Sequence, residues 1–230
     1  MTNTAAPVPR PAGSAAVTDL GWRYVAHRAR STVRVRSLAE AARVAQVAAQ
    51  SVPTLEKHLW IDLRVDQVVL SALDPDAGVL TEADLVVVRT VTAALIDAGF
   101  LPVPGDGRGV QVVELAIDAM DIPAVRPFWQ AALGYVEDPS DPGPDGSLLD
   151  PAGQGPSVWF QQMDSPREQR NRLHLDVDVP HDQVEERLAA TLAAGGTLLS
   201  DAHARAFWVL ADAEGNEVCL CTWQDRERPG

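Results

Sequence analysis

The sequence predicts an α+β protein built as two separately cored units, and three observations carry that reading. After the N-terminal segment, about eighty residues show strand-like and helix-like patterns in the order strand, strand, helix, strand, helix. The stretch LPVPGDGRGV, residues 100–109, then combines Pro, Gly and charge between two patterned regions. Beyond it, residues 110–223 contain two similar strand-plus-helix segments, so this half reads as paired βαβββ modules.

Residues 1–19 begin MTNTAAPVPRPAGSAAV, an Ala/Pro run read as a disordered tail. It lacks the continuous apolar stretch of a signal peptide. Residues 20–98 form the first expected unit. GWRYVAHRARSTVRVRS alternates as strands do, and SLAEAARVAQVAAQSV repeats its apolar residues at helical spacing. Ser37 and Glu40 have the capping-box spacing, in which each side chain satisfies a free amide at the helix start. DLRVDQVVLSAL reads as one strand, and Thr81 with Asp84 opens a second capped helix, TEADLVVVRTVTAALIDAG. Residues 99–109 are the expected linker and 110–225 the second unit.

In that second unit, VELAIDAMDIPAVRPFWQAALGY runs from Glu114 to a helix-ending Gly134, and LHLDVDVPHDQVEERLAATLAAGG runs from His174 to Gly195. Later strands follow at SVWFQQM and NEVCLCTW, with Gln161 47 positions after Glu114 and Cys219 45 after His174. Strand alternation sets Leu173, Leu175, Val177 and Val179 against helices, leaving Arg172, His174, Asp176 and Asp178 on the other face. Val113, Leu115 and Ile117 face helices by the same rule, and Glu114, Ala116 and Asp118 face inward with His174. Gln161 shares its face with Trp159 and Met163, and Cys219 shares its face with Glu217 and Cys221. Phe128 and Trp129 read as core. Residues 138–156, DPSDPGPDGSLLDPAGQGP, are too rich in Pro, Gly and Asp for a regular element, apart from a short strand at SLLD, and are expected to rim the pocket.

Composition bounds the function. The chain has 230 residues, 46% of them apolar, enough for a core in each unit. Its formal charge of -13 disfavours nucleic acid and anionic membrane as partners, because phosphate binding needs clustered Lys/Arg. The arginines between Arg23 and Arg43 are read as a solvated face. No apolar run is long enough to span a membrane. The two cysteines, Cys219 and Cys221, lie two apart in a strand-like run with no good geometry for bridging each other, which points to a reduced, cytoplasmic setting. The expected partner is a small molecule, with a homodimer as the assembly considered. P-loop, dinucleotide G-x-G-x-x-G, G-x-S-x-G and H-E-x-x-H motifs are absent from the sequence.

The opening GW, the helix SLAEAARVAQVAA, the strand IDLRVDQV and GVLTEADL together resemble the pterin-4a-carbinolamine dehydratase family over about residues 20–98. The resemblance implies a small antiparallel sheet with helices on one face. It also implies a three-histidine site, because expelling a carbinolamine hydroxyl needs proton donors and acceptors near neutral pH. By register the first histidine falls on Lys57, the second on His58 and the third on Pro75, and the motif's Pro and Asp are replaced by Leu59 and Trp60. Two readings of His58 stand side by side: a remnant of a dehydratase site, lining with Trp60 a pocket for a flat heterocycle such as a pterin, or a hydrogen-bonded histidine at a strand edge. An active 4a-hydroxytetrahydrobiopterin dehydratase, a lyase, is the third alternative.

DIPAVRPFWQAALGY, RLHLDVDV and ADAEGNEVCL make the second half resemble the glyoxalase/bleomycin-resistance superfamily, also called vicinal oxygen chelate, in its glyoxalase-like branch. The resemblance implies four metal-ligand positions on four strands, which fall here on Glu114, Gln161, His174 and Cys219. The set mixes hard oxygen donors, a weak amide and a soft thiol, so a divalent metal held by Glu114, Gln161 and His174 competes with a metal-free pocket. In a catalytic reading His174 and Glu114 act, and Trp159, Gln161, Met163, Asp176, Cys219 and Cys221 line the pocket. For His174 the alternative is a polar residue hydrogen-bonded to Asp176. For Cys219 it is a small buried residue. The functions implied are small-molecule conversion, or sequestration without chemistry.

Overall fold

The structure is a computed structural model, and it describes residues 6–104, 111–166, 169 and 173–225. The chain splits into two compact units, Met1–Val112 and Val113–Gly230. No described helix is long and apolar enough to cross a membrane.

The first unit runs α1 (Arg10–Thr18), β1 (Arg23–Val25), β2 (Arg28–Arg34), α2 (Leu38–Ser51), a 3-10 turn at Glu56–His58, β3 (Leu59–Leu63), β4 (Gln67–Ala72), α3 (Glu82–Asp97) and β5 (Pro102–Val103). Its antiparallel sheet has the order β1-β2-β4-β3, with β5 added against β2. Ala29 and Val33 of β2 and Val68, Leu70 and Ala72 of β4 join the core with Val44 of α2 and Val88, Val91 and Leu95 of α3. Because only alternate strand residues enter this core, both helices cover the same face of the sheet. Trp22 is fully buried beneath them, and its indole N–H donates to Thr92 Oγ1 at 2.8 Å, so the one polar atom of a large apolar group is satisfied.

Three expectations are corrected here. Residues 10–18 of the expected disordered tail are helical, since Val17 is fully buried in the core and the Val8 N–H donates to Leu80 O at 2.8 Å. Gly13 lets this helix approach closely, because a Cβ there would lie 3.0 Å from Leu80 Cδ2. DLRVDQVVLSAL is not one strand but the end of β3, a turn and β4, with Leu63 paired to Val68 and the Arg64 N–H donating to Gln67 O. Part of the expected linker is sheet: Thr32 and Val33 pair with Val103 and Pro102, and the Ser31 and Thr32 hydroxyls both donate to Val103 O at 3.1 Å. Residues 105–110 lie outside the described residues.

The second unit repeats one pattern. Its first module comprises β6 (Glu114–Ala119), α4 (Ile122–Leu133), β7 (Val136–Glu137), β8 (Leu148–Leu149) and β9 (Ser157–Gln162). Its second comprises β10 (Leu175–Asp178), α5 (Val184–Ala193), β11 (Thr197–Ser200), β12 (Phe207–Ala211) and β13 (Glu217–Cys221). The sheets are ordered β6-β9-β8-β7 and β10-β13-β12-β11. In each the first and last strands run parallel and the remaining pairs antiparallel. This is the expected α+β architecture of paired βαβββ modules, and SLLD does hold a short strand.

The spacing that suggested the repeat needs correction. Asp118 stands opposite Gln161 and Asp176 opposite Cys219, each pair forty-three positions apart, so the two ladders share one offset. Spacings of 47 and 45 therefore do not mark equivalent pairs.

The modules share a core of Phe128, Trp129, Leu148, Val158, Leu210, Val218 and Leu220. The Trp129 indole N–H donates to the buried Asp212 at 2.9 Å. The Glu214 carboxylate accepts from the amides of Met120 (2.9 Å) and Asp121 (2.7 Å), just ahead of α4. Gly134 ends α4 with φ 70°, and a Cβ there would lie 2.6 Å from Arg187 Nη1, which donates to Ala132 O across the helix pair.

Candidate functional site

The histidine expected to remain from a dehydratase site is built into the first unit's core. His58 ends the 3-10 turn at 4% exposure, and its Nδ1 lies 2.8 Å from Asp84 Oδ1. Asp84, fully buried, closes the capping box of α3: its Oδ2 accepts from the Thr81 amide at 2.6 Å and the Thr81 hydroxyl at 2.7 Å. An ionised carboxylate can only accept, so Nδ1 of His58 carries a proton toward it. The contact is that of a hydrogen-bonded structural histidine.

Trp60 points the other way. Its neighbours Leu59 and Ile61 pack on the core, so Trp60 takes the opposite face, where the Arg28 guanidinium lies 5.1 Å from its ring centroid. The structure does not bring His58 and Trp60 into one pocket. At the other two expected histidine positions, Lys57 pairs with Asp76, and Pro75 sits in the turn that the Asp74 carboxylate closes on the amides of Asp76 and Ala77. The hydrogen bond to Asp76 raises the Lys57 pKa above its ordinary value. Lys57 is therefore a cation at neutral pH and cannot serve as a base there.

In the second unit, strand alternation sorts the residues much as expected. Leu115, Ile117, Leu175, Val177 and Val179 pack on the core, and Val158 and Phe160 are buried. Glu114, Ala116, Trp159, Gln161, His174, Asp176 and Asp178 are exposed on the other face. Val113 and Leu173 depart from the pattern: they precede β6 and β10 and are 58% and 84% exposed.

On this open face three donor atoms converge. His174 Nε2 lies 3.2 Å from Asp176 Oδ1, and Asp176 stands opposite Cys219 in the parallel ladder. Donor atoms of His174, Asp176 and Cys219 all lie within 4.8 Å of one another. The strand period explains it: residues 174 and 176 share a face, and the in-register neighbour of 176 shares it too. Cys219 is buried, 8% exposed, and its thiol pKa is pushed up to about 11, first by burial and then by the charge and hydrogen bond of Asp176. Cys221, also buried, lies with its Sγ 3.8 Å from Cys219 O.

The other expected ligands stand apart. Glu114, from the first module, accepts from Ser157 Oγ at 3.0 Å and does not belong to this cluster. Gln161 lies beside Asp118 on the first module's sheet. Asp176, expected only as a pocket residue, is the central member instead. Met163 continues past β9, its amide donating to Ala119 O, and lines a cleft of ≈ 250 Å³ with Asp118, Met120, Glu214 and Asn216. That cleft formed no part of the sequence expectation, because the Glu214–Asn216 turn reaches it from the second module.

Comparison with known proteins bears on the second unit. Residues 114–221 match the family model of the glyoxalase-like domain. A glyoxalase/bleomycin resistance protein/dioxygenase family enzyme from Burkholderia phytofirmans PsJN is 22% identical at a TM-score of 0.40, the match covering 47% of this chain and 95% of that one. A glyoxalase-related enzyme from Fulvimarina pelagi is 17% identical at 0.39, covering 49% and 88%. The fosfomycin resistance protein FosX from Listeria monocytogenes, complexed with Mn(II) and sulfate ion, is 14% identical at 0.39, covering 49% and 90%. No curated protein matches the chain. Residues 114–221 are thus similar to the glyoxalase-like domain family.

Proposed function

We propose that the second unit is a small-molecule site whose working surface is the open face of β10 and β13, and that the first unit is a dehydratase-like domain without dehydratase activity. The observation that carries this reading is the convergence of His174, Asp176 and Cys219 within 4.8 Å in a glyoxalase-like domain. Exposed titratable groups converging beside a buried thiol are the arrangement expected of a site rather than of a solvated strand.

The donor set fits a divalent cation. His174 offers a neutral nitrogen, Asp176 a carboxylate oxygen and Cys219 a sulfur, all ligand types that divalent metals accept. When bound, such an ion would polarise an oxygen of the ligand as a Lewis acid. Asp176 orients the His174 ring through the 3.2 Å contact, and exposure of both side chains keeps the site open to a ligand. Trp159, 39% exposed on the first module's open face, would offer an apolar wall to a ligand that reaches both sheets.

Calorimetric titration with Zn²⁺, Ni²⁺ and Mn²⁺, followed by a small-molecule screen on protein with and without cation, tests the reading. The expected result is one site per chain, lost in His174→Ala with unchanged circular dichroism. A wild-type chain that binds neither cation nor small molecule would overturn it.

A further inference from the structure

The cluster's chemistry narrows the class of ion. We infer that the site takes a thiophilic divalent cation of the zinc class, with Cys219 bound as thiolate, and discriminates against oxygen-seeking ions such as Mn²⁺ and Mg²⁺. The inference rests on the reading of His174, Asp176 and Cys219 as the working site.

Three features of the structure support it. First, the donors are one nitrogen, one oxygen and one sulfur, and the sulfur decides selectivity: soft thiolates favour zinc-like ions, whereas Mg²⁺ and Mn²⁺ prefer sets built of oxygen. Second, the geometry suits a small tetrahedral ion. Bonds of about 2.0–2.3 Å put neighbouring ligand atoms about 3.3–3.8 Å apart, and here His174 Nε2 and Asp176 Oδ1 are 3.2 Å apart with all three donors inside 4.8 Å. Third, the whole set comes from one module, from β13 and from β10 with the residue just before it, around the Asp176–Cys219 register, so neither Glu114 nor Gln161 is needed to complete it. Three protein donors leave a tetrahedral ion one position for water or ligand. On binding, the Cys219 S–H bond breaks, the sulfur–metal bond forms and the proton passes to solvent. Nothing is oxidised or reduced.

Cobalt(II) reports the sulfur directly. Titrating the full-length, metal-stripped protein with Co²⁺ should give, at one equivalent, a near-ultraviolet thiolate-to-cobalt charge-transfer band that Zn²⁺ bleaches and a large excess of Mn²⁺ does not. Cys219→Ser should remove the band and weaken Zn²⁺ binding by more than about a hundredfold, since even outer-shell changes cost ten- to a hundredfold. Cys221→Ser should keep the band. Because Cys219 is buried and its variant can suffer in folding, His174→Ala, at an exposed side chain, gives a second reading: folded by circular dichroism, it too should lose Zn²⁺ affinity. One bound Co²⁺ without the band, or Mn²⁺ held as tightly as Zn²⁺, overturns the zinc-class assignment while leaving a metal site in place. Failure of the wild type to bind any cation, or full Zn²⁺ affinity in His174→Ala, overturns the inference outright.

Discussion

His58 Nδ1 and Asp84 Oδ1 meet at 2.8 Å in the interior of the first unit, tying the turn before β3 to the first turn of α3. Removing either partner leaves a buried polar group short of a bond. Asp84→Ala strands the Thr81 amide and hydroxyl as well as the imidazole, and should lower the unfolding free energy by about 3 kcal/mol or more. His58→Ala should cost about 1–3 kcal/mol, since Asp84 keeps two donors. Urea unfolding followed by circular dichroism decides it, and an unchanged midpoint for His58→Ala would show that the contact contributes nothing.

The same burial bears on catalysis. With His58 4% exposed, Lys57 paired to Asp76 and Pro75 lacking a titratable group, the first unit should not turn over 4a-hydroxytetrahydropterin. Stopped-flow dehydration is the measurement. A rate of about 1 per second or more, abolished by His58→Ala, would restore the dehydratase reading.

Lys57 and Asp76 give a prediction in pH. The hydrogen bond lowers the Asp76 pKa and raises that of Lys57. The depressed carboxylate contributes stability that is present above its unfolded value and fades as pH falls through its folded one. The raised ammonium contributes below its unfolded value and fades as pH climbs through its folded one. Both side chains are exposed, so the effect on stability is small, but the titration itself is readable. In Lys57→Ala the Asp76 carboxyl carbon, followed by NMR, should titrate at higher pH than in the parent. No upward shift would mean that the pair does not form in solution.

Trp129 tests how the two modules of the second unit are joined. Replacing it with Phe keeps most of the apolar ring but removes the donor to Asp212, which is 4% exposed. The expected loss is about 1–3 kcal/mol, read from denaturant unfolding of the full chain. A variant as stable as the parent would place the joint elsewhere, in the α4–α5 contact near Gly134 and Arg187.

Much of this was legible in the sequence because it depends on period and capping. Ser37 and the Thr81–Asp84 box mark helix starts, although the Glu40 side chain takes the Arg36 amide rather than that of Ser37, and alternation in LHLDVDV puts His174 and Asp176 on one face. What was not legible depends on partners distant in sequence. The amide of Val8 is held by Leu80 and the side chain of Val17 by burial in the core, so Ala/Pro composition alone read as disorder. Pro102 and Val103 look like linker and become strand only because the edge of β2 lies open to them. The cluster was misassigned for a related reason. Spacings in sequence matched Glu114 with His174, whereas the ladders make Asp118 and Asp176 the equivalent partners of Gln161 and Cys219.

Glu214 holds the amides of Met120 and Asp121 from more than ninety positions downstream. During synthesis, the first of these two modules emerges from the ribosome long before that carboxylate does. Until residues 212–216 have been made and folded into their turn, the entry to α4 lacks this partner, and Trp129 lacks Asp212. The second unit must therefore wait for nearly its whole length before its first helix is secured, and a nascent chain stalled after β9 exposes that unfinished edge.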